Sequence, residues 1–366
     1  MQTQARGIRN AADPMSKFQK GIEVLANPPR VEVGMTPCDV VYREDKMRLL
    51  HYHPVTRNPL KPPLLVVYAV INKPYILDLQ PDRSVIAALQ RRGVDVYMID
   101  WGIPSSYDRQ LGIDDYVQGY MDRAVNHMCE REGVDQVSMM GYCIGGFLTT
   151  IYAALHPEKV RNLILMAAPV DFHVDGALLH LWTRPEYFDP DLVVEAFGNV
   201  PADFLNGGFA VLDPLGNTAL KYLGLMERAE DEEFVKMFFR MEKWVADGVP
   251  VAGRFYKEFI RGGYQQNLLV QNRLKVGDEL VDMDALTQPI LIIVAEKDHI
   301  VPPDSTRNLA KYVPSRDVKV LSMPVGHIGL SVGTEPHREL WPKVADWIAK
   351  RSGPRRRGRS SKRSKR

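Results

Sequence analysis

Short apolar runs alternating with helical patterns predict an α/β protein with a doubly wound, mostly parallel sheet. Strand-like runs recur at residues 61–70, 94–99, 137–140, 161–167, 290–295 and 318–323, most of them followed by a helical stretch. The rhythm breaks once. Residues 169–286 carry helical patterns and many aromatics (Trp182, Tyr187, Phe188, Phe197, Phe204, Phe209, Trp244) but no convincing buried strand. Ligands of open α/β sheets bind outside the carboxyl ends of the strands, so a helical insertion before the last strands reads as a cap, or lid, over that end. The third observation is a glycine-rich corner, Gly141-Tyr142-Cys143-Ile144-Gly145-Gly146, set between the 137–140 run and a helical pattern over 147–155.

In chain order, residues 1–35 read as a peripheral segment with weak helical patterning and a turn at Asn27-Pro28-Pro29. Residues 38–53 read as a β-hairpin turning at Glu44-Asp45-Lys46, with His51 and His53 at surface positions. Lys61-Pro62-Pro63 opens the first fully buried strand. Helices are expected over 82–92, 113–131, 304–313 and 336–350. The expected organisation is a core of residues 36–168 and 287–350, a cap of 169–286, and a disordered basic tail of 351–366.

Composition is that of an ordinary globular protein: 366 residues, 45% hydrophobic and 25% charged. No apolar run approaches the ~20 residues needed to cross a bilayer, so no transmembrane segment is expected. The three cysteines, Cys38, Cys129 and Cys143, lack metal-ligand spacing and suit reduced thiols in a cytoplasm. No metal is expected. The whole chain is +2 and the last 16 residues carry +9, so the first 350 residues carry −7. The body is acidic and the tail is basic.

The glycine-rich corner has the strand-turn-helix setting of the G-x-S-x-G nucleophile elbow, with cysteine in the serine position. The turn is too tight for side chains at Gly141 and Gly145. Cys143 is expected at its tip, exposed above the sheet, where the following helix N-terminus favours a thiolate. Two later strands supply the partners. One ends in Glu296-Lys297-Asp298-His299, the other in Gly326-His327-Ile328-Gly329. The order Cys143, Asp298, His327, each after its own strand, is that of an α/β-hydrolase triad. His327 would take the thiol proton and Asp298 would fix the imidazole, with Glu296 the less favoured carboxylate. The amides of Ile144 and Ile71 are the candidate oxyanion donors. A cysteine acyl-enzyme is itself a thioester and keeps the acyl group activated, which favours acyl transfer over hydrolysis.

These residues resemble the poly(3-hydroxyalkanoate) synthase family. The resemblance is carried by the lipase-like box at residues 141–146, by Tyr68-Ala-Val-Ile-Asn-Lys-Pro-Tyr-Ile-Leu-Asp, Asp100-Trp-Gly and Met241-Glu-Lys-Trp, and by Asp298-His-Ile-Val-Pro-Pro and Gly326-His-Ile-Gly. It spans residues 33–351. It implies the same catalytic Cys143, Asp298 and His327, with His299 or the carboxylate contacting a substrate hydroxyl. It also implies polymerisation of short-chain (R)-3-hydroxyacyl-CoA to a growing polyester chain at a granule surface, with CoA as part of the substrate and no separate cofactor. The short chain resembles the two-subunit synthases, which implies a small accessory subunit and a homodimer or hetero-oligomer. The basic tail lies outside that pattern. Two rivals remain at this point: a cysteine-dependent acyl-CoA thioesterase or esterase of the same fold, and a non-enzyme that binds acidic surfaces or nucleic acid through its tail.

Overall fold

The computed structural model describes residues 14–353. The strands are β1 (Cys38–Glu44), β2 (Met47–Tyr52), β3 (Leu60–Val67), β4 (Val94–Asp100), β5 (Val137–Tyr142), β6 (Val160–Met166), β7 (Lys275–Val276), β8 (Glu279–Leu280), β9 (Ile290–Ala295) and β10 (Val318–Met323). Eight of them form one sheet in the order β1-β2-β4-β3-β5-β6-β9-β10. The pairs from β4 through β10 are parallel, and the β1–β2 hairpin joins β4 antiparallel. Strands covered by helices on both faces are buried along their whole length and mostly apolar. Accordingly every residue of β4, β5 and β9 is buried.

Helix α1 (Pro14–Ala26) lies at the N-terminal end. Its Val24 and Leu25 pack on Leu225, Val235 and Phe238, so this segment belongs to a small second core under the cap. Helix α2 (Val85–Gln90) starts at Ser84, whose Oγ accepts from the Ala87 amide at 2.9 Å. The helix expected over 113–131 begins as a π-helical stretch, Asp115–Met121, and continues as α3 (Asp122–Glu132). Helix α4 (Ile144–Leu155) is apolar on all sides, and every residue from Ile144 to Ala154 is buried. It runs from the elbow through the centre of the molecule.

Between β6 and β9 the chain forms a largely helical cap with helices Leu178–Trp182, Pro190–Phe197, Ala202–Leu212, Lys221–Glu227, Glu232–Ala246 and Gly253–Phe259. The stretch is not free of strands: β7 and β8 make a small hairpin with Val276 buried, and Val200 bridges Val251. Those pairs are too short to show as an apolar run. The last helix, Trp341–Arg351, carries Arg351 bound to Asp317 at 2.6 Å, and Gly353 pairs with Lys61. Residues 351–353 therefore close the core rather than begin a tail. The rest of the basic tail lies outside the described residues.

Candidate active site

Cys143 sits between the end of β5 and the first residue of α4, with φ 56° and ψ −131°. Backbone of this hand costs about 1–3 kcal/mol for a residue with a side chain, and only close packing around it holds it in place. That packing is visible. A Cβ on Gly145 would stand 2.1 Å from the Val67 carbonyl oxygen, and one on Gly141 would stand 2.4 Å from Gly146 Cα. The Cys143 amide donates to the Met166 carbonyl of β6 at 3.1 Å. The cap covers the elbow, so Cys143 is only 7% exposed, in contrast to the exposed tip expected from sequence.

The structure brings the three residues expected from sequence together. His327 Nδ1 donates to Asp298 Oδ2 at 2.6 Å, and the Cys143 side chain interacts with the same imidazole. Asp298 Oδ1 accepts the amides of Ile300 and Val301, each at 2.9 Å. Both carboxylate oxygens are thus engaged and the side chain is fixed. Burial works against a charged imidazole at His327. The charges of Asp298 and Cys143 beside it outweigh burial and push its pKa up to about 10. Glu296, the alternative carboxylate, instead binds Arg307 through both oxygens at 2.7 and 2.9 Å.

Sequence reading did not single out the residues that hold His327. Tyr142 Oη donates to the His327 carbonyl at 2.9 Å, and its ring stacks on the imidazole with centroids 5.1 Å apart. Burial pushes the Tyr142 phenol pKa up, so it stays a donor. Three more carbonyls just beyond are taken by side chains from elsewhere: Leu330 by Trp341 Nε1 (3.0 Å), Ser331 by His337 Nε2 (2.6 Å) and Val332 by Arg83 Nη1 (2.7 Å). A tyrosine next to Cys143 at the end of a buried strand was the one available signal for Tyr142. Asp171, just inside the cap, was missed too. Its carboxylate accepts from Asn267 (2.8 Å), Asn308 (2.9 Å) and Tyr312 (3.0 Å), which joins both cap crossings to the core.

Ile144 is the first residue of α4, where a helix leaves its amides without intrahelical acceptors. Ile71 lies in the loop after β3, and its carbonyl accepts from the cap amide of Val249 at 2.8 Å. Trp101 and Trp244 fix the same loop through the carbonyls of Tyr68 (3.0 Å) and Lys73 (2.9 Å). Both Ile71 and Ile144 border the cavity beside Cys143.

Two cavities meet at the sulfur. One, of about 280 Å³, is lined by apolar groups including Leu179, Phe188, Phe255, Phe259 and Tyr264. The other, of about 500 Å³, is lined by Asn72, Asn206, Lys297, His299 and His327 among others. Cys143, Ile71, Phe209 and Ile300 border both. His299 is exposed and faces the polar cavity.

The remaining sequence candidates lie elsewhere. His53 is at the surface beside Asp39, 3.1 Å away. His51 is not a surface residue: it is largely buried, bonds Asp95 at 2.8 Å and stacks on Tyr97. Among the described residues, His51, Asp95 and Glu132 are the group with metal-ligand spacing. The Lys61 ammonium lies between the two carboxylates and supplies the positive charge there. Cys38 and Cys129 are free thiols away from Cys143, and burial pushes the pKa of each up.

Comparison with known proteins agrees with this picture. A family model described as the alpha/beta hydrolase fold matches residues 62–333, and one described as the N-terminus of poly-beta-hydroxybutyrate polymerase (PhaC) matches residues 9–89. The "poly(3-hydroxyalkanoate) polymerase subunit PhaC" of Haloferax mediterranei is 48% identical over 349 residues, covering 95% of this chain and 71% of its own. The proteins of that name from Synechocystis (43%, covering 94% and 93%) and Allochromatium vinosum (41%, covering 93% and 96%) are similar along nearly their whole lengths. Two solved structures share the fold. They are a Paleococcus ferrophilus monoacylglycerol lipase (TM-score 0.51, 14% identity, 84% of this chain and all of that one) and a soluble variant of Saccharomyces cerevisiae monoglyceride lipase (0.53, 13%, 89% and 99%). No helix among the described residues is long and apolar enough to cross a membrane. By sequence along almost its entire length, and by an α/β-hydrolase core with cysteine at the elbow, the chain belongs to the PhaC family of poly(3-hydroxyalkanoate) polymerases.

Proposed function

We propose that the polymerase works through a covalent thioester on Cys143. The observation that carries this is a buried elbow cysteine, paired with His327 and Asp298, at the meeting point of an apolar and a polar cavity. His327 takes the thiol proton, and the sulfur attacks the carbonyl carbon of a short-chain (R)-3-hydroxyacyl-CoA. The amides of Ile144 and Ile71 stabilise the oxyanion. The bond to the CoA sulfur breaks, and His327 returns the proton to that leaving group. A hydroxyl of a second acyl unit then attacks the enzyme thioester, the carbon–Sγ bond breaks, and an ester forms while His327 passes the hydroxyl proton to Cys143. His299 faces the polar cavity and is placed to contact the incoming hydroxyl. The polar cavity suits the CoA arm; the apolar one suits the acyl chain and the growing polyester.

The wider setting is proposed on the same footing. The relatives are named as subunits, which fits a small accessory subunit and a homodimer or hetero-oligomer at a polyhydroxyalkanoate granule surface in the cytoplasm. The nine positive charges of residues 351–366 suit contact with acidic surfaces. Purified protein, with and without an accessory subunit, is incubated with 3-hydroxybutyryl-CoA beside a Cys143→Ala variant. CoA release with insoluble polyester, both absent in the variant, is expected. Release accompanied by free 3-hydroxybutyrate alone would make the protein a thioesterase.

A further inference from the structure

An acyl group on Cys143 has two fates. Attack by a hydroxyl forms an ester; attack by water forms free 3-hydroxy acid. In both, the carbon–sulfur bond breaks, a carbon–oxygen bond forms and the released proton returns to Sγ through His327. The ratio of the two products depends on whether water stands beside the carbonyl carbon.

The two cavities differ in this respect. A cavity lined by apolar side chains gives water no partners and stays dry. The polar cavity, bordered by Asn72, Asn206, Lys297 and His299, holds water readily. Water held in the polar cavity reaches an acyl group seated in the apolar cavity through the junction at Cys143. Three side chains besides Cys143 frame that junction. Ile71 and Ile300 come from core loops, and Ile71 is also a candidate oxyanion donor. Phe209 comes from the cap helix Ala202–Leu212. Its neighbour on the same helix, Phe204, borders only the apolar cavity.

We infer that Phe209 is a specificity-determining residue that sets the ratio of ester formation to hydrolysis, by narrowing the junction until only an incoming acyl-CoA fills it. This rests on the acyl-cysteine mechanism proposed above. Removing the ring would leave room for water beside a bound acyl-CoA, and the acyl-enzyme would leak to free acid.

The test measures CoA release, polyester and free 3-hydroxybutyrate together, with 3-hydroxybutyryl-CoA and the full chain. Wild-type release of CoA into polymer tests the mechanism itself; the product ratio in variants tests Phe209. In Phe209→Ala the fraction of acyl groups released as free acid should rise several-fold, with polymer chains correspondingly shorter. Phe204→Ala, which removes the same volume from the apolar cavity alone, should keep the wild-type fraction. An unchanged fraction in Phe209→Ala with normal CoA release would overturn the inference, and so would an equal rise in Phe204→Ala. If Phe209→Ala releases no CoA at all, the pair Phe209→Leu and Phe209→Trp carries the test. The acid fraction must then be higher for leucine than for tryptophan, and equal fractions would refute the role.

Discussion

The core and the cap are built to different standards. Strands β4, β5 and β9 are buried at every residue, and α4 is buried from Ile144 to Ala154. The cap leaves large apolar side chains in solvent, among them Tyr187 (74%), Leu192 (64%) and Val211 (59%). The difference follows the work each part does. Cys143, Asp298 and His327 all stand on loops rooted in core strands, where neighbouring backbone fixes their positions. The cap brings no member of this trio. It contributes walls, Phe209 among them, that decide what reaches the sulfur. Rigid support serves chemistry, whereas a surface that passes substrate and a growing chain has no such need for close packing.

The sharpest separation of the two regions is made at the proposed nucleophile, Cys143. Cys143→Ala should lower CoA release by roughly 10⁴-fold or more, with a melting temperature close to that of the wild type, since the small side chain keeps the elbow's packing. A large fall in melting temperature would mean that the sulfur holds the fold together rather than performing the chemistry.

Asp298→Asn should lower turnover by roughly 10²–10⁴-fold by losing control of the imidazole. It also carries a pH signature. The folded pKa of His327 lies above its ordinary value of 6.5, at about 10. The stabilisation this represents is complete below the unfolded value and is lost as pH rises through the folded one. The melting-temperature gap between wild type and Asp298→Asn should thus be widest near pH 6 and narrow towards pH 10. A gap that widens with pH would refute the charge pairing.

Stability alone should then distinguish core from cap. Leu165, fully buried in β6, should cost about 2–5 kcal/mol on replacement by alanine, read from denaturant unfolding. Tyr142→Phe removes one buried hydrogen bond, about 0.5–1.5 kcal/mol. As a positioning residue it should also lower kcat several-fold at unchanged KM, a split that loss of stability alone would not produce. Smallest of all, Leu192→Ala on the cap surface should stay within about 0.5 kcal/mol. A cost there comparable to that of Leu165 would mean that the cap face is covered in the working enzyme.

Much of this site is legible in the sequence because its determinants are local. A strand, two glycines and a helix dictate the elbow around Cys143, since a Cβ at Gly145 would strike the Val67 backbone. Asp298 follows a wholly apolar buried strand, β9, and His327 follows the partly exposed edge strand β10, so their positions at the strand ends follow from period and order. Other features depend on groups distant in the chain, and only the tertiary structure decided them. Cys143 is buried because the cap that follows later in the sequence folds back over it, with Leu179, Phe209 and Phe259 around the cavity beside it. His51 is drawn into an ion cluster by Asp95 and, through Lys61, by Glu132, none of which its own strand foretells. Tyr142 reaches the His327 carbonyl across 185 positions. The two cavities, and the side chains shared between them, exist only once core and cap are packed together. Periodicity and turn sterics act between neighbours in the chain; burial, charge pairing and cavity shape act between neighbours in space.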